Sequence, residues 1–372
     1  MSNLKIVDLF AGVGGLSQGF ISQGFEVEFA IEYDKEIAES YKLNHPNTSV
    51  YAEDISKIDF NVLKEKHNKI DIIVGGPPCQ GFSQKGKRLS IKDDRNYMFQ
   101  KFIDAVIIFK PKYFVLENVP NILTTANGFF KNEIIQGFEE LGYVVNAKTL
   151  NASDYGVPQN RRRAFFIGSL GTEKFEFPEP SKNKVSIKEA IYDLPFIESG
   201  EGEKTCNYRE IEKISQFQKL LRNKSNIVHN HIATKHSKIA IERLKLIPVG
   251  KGKEVLPQEH RTKSIFSGTW SRLKEEGIAA TITTRFDTPS SGLFTHPILN
   301  RCLTVREAAR IQSFSDNFIF YGSKTCQMKQ VGNAVPPLLA SAIAKQILNN
   351  INNESKSTTS NKPSRAKFKI RN

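Results

Sequence analysis

The chain has a single tryptophan and only four cysteines, and it is short of acid: 39 Asp and Glu stand against 53 Lys and Arg in 372 residues, a formal net charge of +14. Each scarcity excludes something. Cys79, Cys206, Cys302 and Cys326 form no CxxC pair, which argues against a zinc site or a disulfide framework and leaves each thiol free. No run approaches the roughly 18 apolar residues of a membrane span, and the opening MSNLKIVDLF enters a strand at once with no secretory leader, so a cytoplasmic protein is expected. The shortage of acid points to a polyanionic partner. Part of it sits in residues 353–372, where Ser, Thr, Asn, Lys and Arg dominate, and a disordered basic tail is expected there.

What is present is a rhythm. Through the first 170 residues or so, short apolar runs alternate with longer amphipathic stretches, the pattern of an α/β fold with a doubly wound, mostly parallel sheet covered by helices. Strands are predicted at Leu4–Val7, Val27–Ile31, Val50–Ala52, Ile70–Val74, Tyr113–Leu116, Tyr143–Val145 and Ala164–Ile167, with helices near Leu16–Gln23, Lys35–Leu43, Tyr97–Phe109 and Phe129–Leu141. Asp8, Glu32 and Asp54 fall at strand ends, where such a sheet holds the hydroxyls of an adenosine-bearing ligand or simply shows strand-end polarity. From about Ser181 to Ile298 the rhythm fades into a basic, irregular second domain that contains Trp270, His229, His231 and His236. With no cysteine or carboxylate cluster to complete a metal site, these histidines are expected to be exposed or to face nucleic acid. Thr304 and Glu307 have capping-box spacing and open an amphipathic helix, and a last helix is expected over Leu338–Leu348.

Three segments carry chemistry. Cys79 lies in GGPPCQGFS, just past an apolar strand, where two prolines fix the backbone and two glycines let a substrate approach; it is either a nucleophile or a buried, inert thiol. Asp8 to Ser17, DLFAGVGGLS, is a glycine-rich turn that fits GxGxxG poorly, because Ser17 stands at the third glycine; Phe10 suits stacking on a purine better than it suits a dinucleotide. Glu117 ends the next strand in ENVPN and could act on the same substrate as the thiol, or form a structural ion pair. In QNRRR at 159–163, strand alternation aims Arg161 and Arg163 the same way and Arg162 the other.

Together these motifs resemble the C5-cytosine DNA methyltransferases, in the family's order: DLFAGVGGLS at 8–17, GGPPCQGFS at 75–83, ENVPN at 117–121, QNRRR at 159–163, RCLTVREAARIQSF at 301–314 and GNAVPP at 332–337. The resemblance spans Leu4 to about Leu348, apart from most of 183–298. It implies transfer of a methyl group from S-adenosylmethionine to carbon 5 of a cytosine in duplex DNA, flipped out of the stack, without a metal. By the family's mechanism Cys79 adds to carbon 6, Glu117 hydrogen-bonds or protonates N3, and Arg161 and Arg163 orient the base and its sugar-phosphate.

Cofactor contacts carry over to Phe10, Ala11, Gly12, Gly14, Leu16, Glu32, Asp54, Ile55, Pro78, Asn333 and Val335. DNA contacts fall on Ser83, Lys85, Lys87, Arg88 and Arg95 of a basic loop that closes over the DNA, and on Thr281. Since GNAVPP must fold back, the catalytic domain is discontinuous (1–182 with 330–352), with a target-recognition and hinge domain over 183–329. The resemblance implies a monomer whose partner is double-stranded DNA, with no membrane, and a restriction-modification setting with a separate endonuclease. The alternatives are a tRNA cytosine-5 methyltransferase, whose Cys-Phe-Thr sequence is missing here, and a DNA-binding regulator without activity.

Overall fold

The computed structural model describes residues 4–78, 97–171, 173–262 and 268–360, with the backbone alone at 97 and 355–360. Cys79, Ser83, Lys85, Lys87, Arg88 and Arg95 therefore lie outside the described residues. Seven strands, β1 (Lys5–Leu9), β2 (Glu26–Ile31), β3 (Ser49–Tyr51), β4 (Ile72–Gly75), β5 (Tyr113–Asn118), β6 (Tyr143–Asn151) and β7 (Arg162–Leu170), form one sheet in the order β3-β2-β1-β4-β5-β7-β6. The first five neighbours run parallel, and β7 is antiparallel to both β5 and β6.

Helices α1 (Gly15–Ile21), α2 (Lys35–Asn44), α3 (Phe60–Lys66), α4 (Tyr97–Phe109) and α5 (Phe129–Glu139) belong to this half. The inner strands are apolar on both faces because helices cover both. Phe102, Phe114 and Phe138 are fully buried in one core, with the rings of Phe114 and Phe138 stacked at 4.0 Å. Each such side chain is worth about 1.5–3 kcal/mol of burial. The chain reverses its direction of travel across the sheet between β1 and β4, and in an open sheet the carboxyl ends at that switch form the ligand crevice.

The second half holds α6 (Ile187–Ile191), a two-stranded hairpin of β8 (Gly202–Cys206) and β9 (Val228–Ile232) enclosing α7 (Gln216–Arg222), and α8 (Lys238–Leu246). Then follow α9 (Val305–Ile311), α10 (Lys324–Asn333) and α11 (Pro337–Ser360). Thr304 caps α9 in a full capping box with Glu307, and all seven residues of α9 are buried. The core around α9 includes Val13 and Ile37 from the first half, so the halves share packing.

Two expectations fail here. His231 is fully buried, with Nδ1 2.9 Å from Thr304 Oγ1 and Nε2 2.9 Å from the Pro195 carbonyl, and His236 Nε2 accepts from the Cys302 amide at 3.1 Å. These two rings satisfy internal polar groups instead of facing a nucleic acid, while His229 is half-buried. The tail also begins later than 353, because α11 continues to Ser360 and Glu354 pairs with Lys112 and accepts from the Tyr113 hydroxyl at 3.1 Å.

Candidate active site

The turn after β1 is built from unusual backbone. Phe10 has φ +56°, Gly12 +55° and Gly14 +91°. A non-glycine residue held in the left-handed region costs on the order of 1–3 kcal/mol and tends to mark a functional turn. The turn throws the chain back so that Gly12 N–H donates to Glu32 Oε2 at 2.8 Å, while the other oxygen of Glu32 accepts from Asp34 N–H at 2.8 Å. Burial raises the Glu32 pKa, against those two backbone bonds.

The ends of β1, β2, β4 and β5 open onto one cavity of about 390 Å³. Phe10, Ala11, Gly12 and Leu16 line it from the turn, Glu32 from β2 and Pro78 from the segment after β4. Asn333 and Val335 reach it from the far end of the sequence, and Glu117 and Arg163 close the opposite side. Ten residues expected from the sequence are thus brought to one place.

Five others are not in its lining. Gly14 stands behind the turn, where a Cβ would come within 2.5 Å of His45, so its role is to free the backbone. Asp54 caps a short turn by accepting from Ser56 N–H at 2.9 Å, and Ile55 is buried in the core against which Phe10 packs. Thr281 donates its hydroxyl to the Asn160 carbonyl at 2.8 Å. Arg161 is fully buried, and its two terminal nitrogens donate to the carbonyls of Ile282 (3.1 Å) and Gly332 (2.7 Å). Arg161 and Arg163 differ although strand alternation puts them on one side, because Arg161 precedes β7 and meets the second half of the chain.

Glu117 is the centre of the polar end. Its Oε1 lies 2.9 Å from Arg163 Nε, and its side chain is only 13% exposed. Burial raises the carboxyl pKa while Arg163 and then Arg161 pull it back. Gly76 makes room for it, since a Cβ there would stand 2.8 Å from Glu117 Oε2. Next to it, Asn118 Nδ2 donates to the Pro77 carbonyl at 2.9 Å, tying the end of β5 to the two prolines that precede Cys79.

Motif reading missed Lys329 and Gln330 of α10 and the cavity role of Asp8, Asn118 and Val119. Asp8 is 1% exposed; its Oδ2 accepts from Ser17 Oγ at 2.6 Å while Oδ1 has no partner among the described residues. Burial pushes its pKa up to about 8. Lys329 is held by Asp34 at 2.9 Å.

The family model described as C-5 cytosine-specific DNA methylase matches residues 4–349. The chain belongs to this family. The type II methyltransferase M.DdeI of Desulfomicrobium norvegicum is 40% identical, over 92% of this chain and 88% of that protein. M1.HphI of Haemophilus parahaemolyticus is 36% identical, over 95% of this chain and 88% of its own length. A crystal structure of a candidate DNA modification methyltransferase encoded in an E. coli prophage superposes with a TM-score of 0.77 at 30% identity, over 94% of this chain and all of that one. A DNMT2 structure from Spodoptera frugiperda, at 17% identity and a TM-score of 0.60, shares the fold. This methylase is a DNA (cytosine-5)-methyltransferase, and its family uses S-adenosylmethionine as methyl donor. No described helix is long and apolar enough to cross a membrane.

Proposed function

We propose that this methylase binds S-adenosylmethionine in the turn-lined part of the cavity and a flipped cytosine at its Glu117 end, with Cys79 as the nucleophile. The observation that carries this is the continuity of one cavity from Phe10 and Glu32 to the Glu117–Arg163 pair. The residues fit such a donor. Gly12 faces open space where a side chain would stand, and the unpartnered Asp8 oxygen offers a hydrogen-bonding group in the wall. Phe10 would lie against the adenine and Glu32 would hold the ribose hydroxyls, with Ala11, Gly12, Leu16, Pro78, Asn333 and Val335 enclosing the rest. When bound, S-adenosylmethionine supplies an electrophilic methyl group.

The protein's own groups prepare the base. The Cys79 thiolate forms a bond to carbon 6, the ring electrons shift toward N3, and Glu117 supplies the proton that N3 takes up. Carbon 5 thereby gains the nucleophilicity that an unmodified cytosine lacks. After methylation, N3 returns its proton to Glu117, and loss of the carbon 5 proton with cleavage of the S–C6 bond restores the aromatic ring and the free thiolate. Burial raises the pKa of this carboxyl and so favours the protonated form that the step requires. Arg163 fixes the orientation of that carboxyl, and the Asn118–Pro77 bond fixes the backbone at Pro77, two residues before Cys79 in the sequence.

The segment 183–298 would read the target sequence. By analogy with its type II relatives, the enzyme would protect sites cut by a separate endonuclease. Incubation with labelled S-adenosylmethionine should label duplex DNA and leave tRNA unlabelled, and Cys79→Ser should abolish transfer while still binding the cofactor. Labelling of tRNA alone, or full activity of the serine variant, would overturn the reading. Mapping of methylated cytosines in cells that express the protein would give the recognised site.

A further inference from the structure

Two buried arginines among the described residues donate to neutral oxygens and to no carboxylate: Arg272, whose Nε and both terminal nitrogens are all engaged, and Arg161. Arg161 is removed from solvent, spends Nη1 on Ile282 O and Nη2 on Gly332 O, and leaves Nε without a partner among the described residues. Burial and the neighbouring Arg163 bring its pKa down to about 9, and the carboxylate that opposes this is Glu117. A neutral amide could hold two carbonyls with far less desolvation. No carboxylate acts on Arg272, so the presence of Glu117 sets Arg161 apart and gives its charge a reason to be sought.

The surroundings supply one. Gln159 accepts from Ile282 N–H at 2.8 Å and donates to Gln312 Oε1 at 2.7 Å, and Gln312 in turn donates to the Val331 carbonyl at 2.7 Å. Asn160 N–H donates to Ala279 O at 2.8 Å, and Ala279 N–H donates to Pro158 O at 3.0 Å. Residues 158–161 are thus the seam where the end of the recognition segment, the region after α9 and the GNAVPP stretch all meet the strand that carries Arg163. Arg161 is the charged member of residues 158–161, and its charge, like that of Arg163, pulls the Glu117 pKa down.

We propose that Arg161 is a positioning residue that joins target recognition to proton supply: its fork holds the recognition segment and GNAVPP to the base of β7, and its charge acts on Glu117 from behind. The inference rests on the reading of Glu117 as the proton donor to N3. Grip and charge belong to the same side chain, so a shift of the recognition segment away from β7 also alters the field at the carboxyl. The other charged groups around Glu117 are Arg163 of β7, Asp8 and Glu32 across the cavity, and Lys329 of α10; the described residues between β4 and Pro78 add none.

Two variants separate the roles. R161M removes the charge, so Glu117 should hold its proton to higher pH, and the alkaline limb of methyl transfer should move up by roughly half to one pH unit. R161K keeps a charge and loses the fork; its limb should stay in place while KM for cognate DNA rises several-fold, and R161K should recover more turnover than R161M. A carboxyl infrared band that titrates, assigned by its loss in E117Q, reads the same shift without turnover. An unmoved limb and band in R161M, or wild-type DNA kinetics in R161K, would overturn the proposal. If R161M proves insoluble, R161Q, which also lacks the charge, is read in its place. Full activity of E117Q would instead sink the reading of Glu117, which keeps the two failures apart.

Discussion

Glu307 in the first turn of α9 and Glu117 in the cavity are both buried carboxylates that face an arginine, yet their environments drive them in opposite directions. Burial would raise Glu307, but Arg301 grips both its oxygens at 2.8 Å and the Thr304 amide adds a third bond, so its pKa falls well below the usual carboxylate range. Glu117 meets Arg163 through one oxygen, and burial keeps its pKa raised. Around α9 the three acids Asp193, Glu307 and Asp316 are matched by Arg222, Arg301, Arg306 and Arg310. In the cavity Asp8, Glu32 and Glu117 share Arg163 and a Lys329 already bound to Asp34. Charge compensated on every side is structure; charge left with unmet capacity is where a ligand completes the set.

The sharpest test changes both carboxylates to amides. E307Q puts an N–H against Arg301 and leaves a buried guanidinium unpaired, which should cost about 3–5 kcal/mol and lower the thermal midpoint. E117Q should leave that midpoint unchanged or higher while methyl transfer falls by roughly 10²–10⁴. A stable E307Q protein, or an E117Q protein as unstable as E307Q, would erase the distinction between the two clusters.

Much of this contrast was visible in the sequence. All seven strands of the large sheet were predicted, because central parallel strands must be apolar on both faces and stand out as runs. The capping box at Thr304 was equally local and equally visible. The antiparallel return of β7 was not, since strand direction leaves no mark on composition, and α3 was missed because its seven residues carry little periodicity. Arg161 and Arg163 look alike in QNRRR. Only the fold shows that one meets Glu117 and the other meets carbonyls more than a hundred residues away. Lys329 and Gln330 reach the cavity from a helix whose sequence has no motif until GNAVPP begins.

A smaller effect should appear in the pH dependence of stability. The Asp8 pKa is about 8 in the folded protein against 3.8 for the free side chain, so between those values the native state binds more protons than the unfolded one. Stability from this group is complete below about pH 4 and is lost as pH rises toward 8. D8N has no such titration. Denaturant midpoints measured across this range should therefore fall with pH more steeply in the wild type than in D8N, with the variant gaining relative stability at the alkaline end. Parallel curves would mean that Asp8 is solvated or paired, and the cavity would lose one of its three uncompensated acids.

The smallest change tests whether the space beside Glu117 is itself part of the site. Gly76 is not among the residues with positive φ, so alanine meets no backbone strain there and should stabilise the protein by about 0.4–1 kcal/mol through the unfolded chain. Its Cβ would stand 2.8 Å from Glu117 Oε2, a side-chain atom, so the carboxylate must shift against the hold of Arg163 while the strand stays in place. A displaced proton donor costs rate far more than stability, because a misplacement of about 1 Å can lose up to roughly 10²-fold. G76A should thus be at least as stable as the wild type and about tenfold slower in methyl transfer, with a single-turnover assay on cognate DNA as the check. An equally fast G76A would show that Glu117 works from a range of positions, and the cavity would then owe less to fixed geometry than the core beneath α9 does.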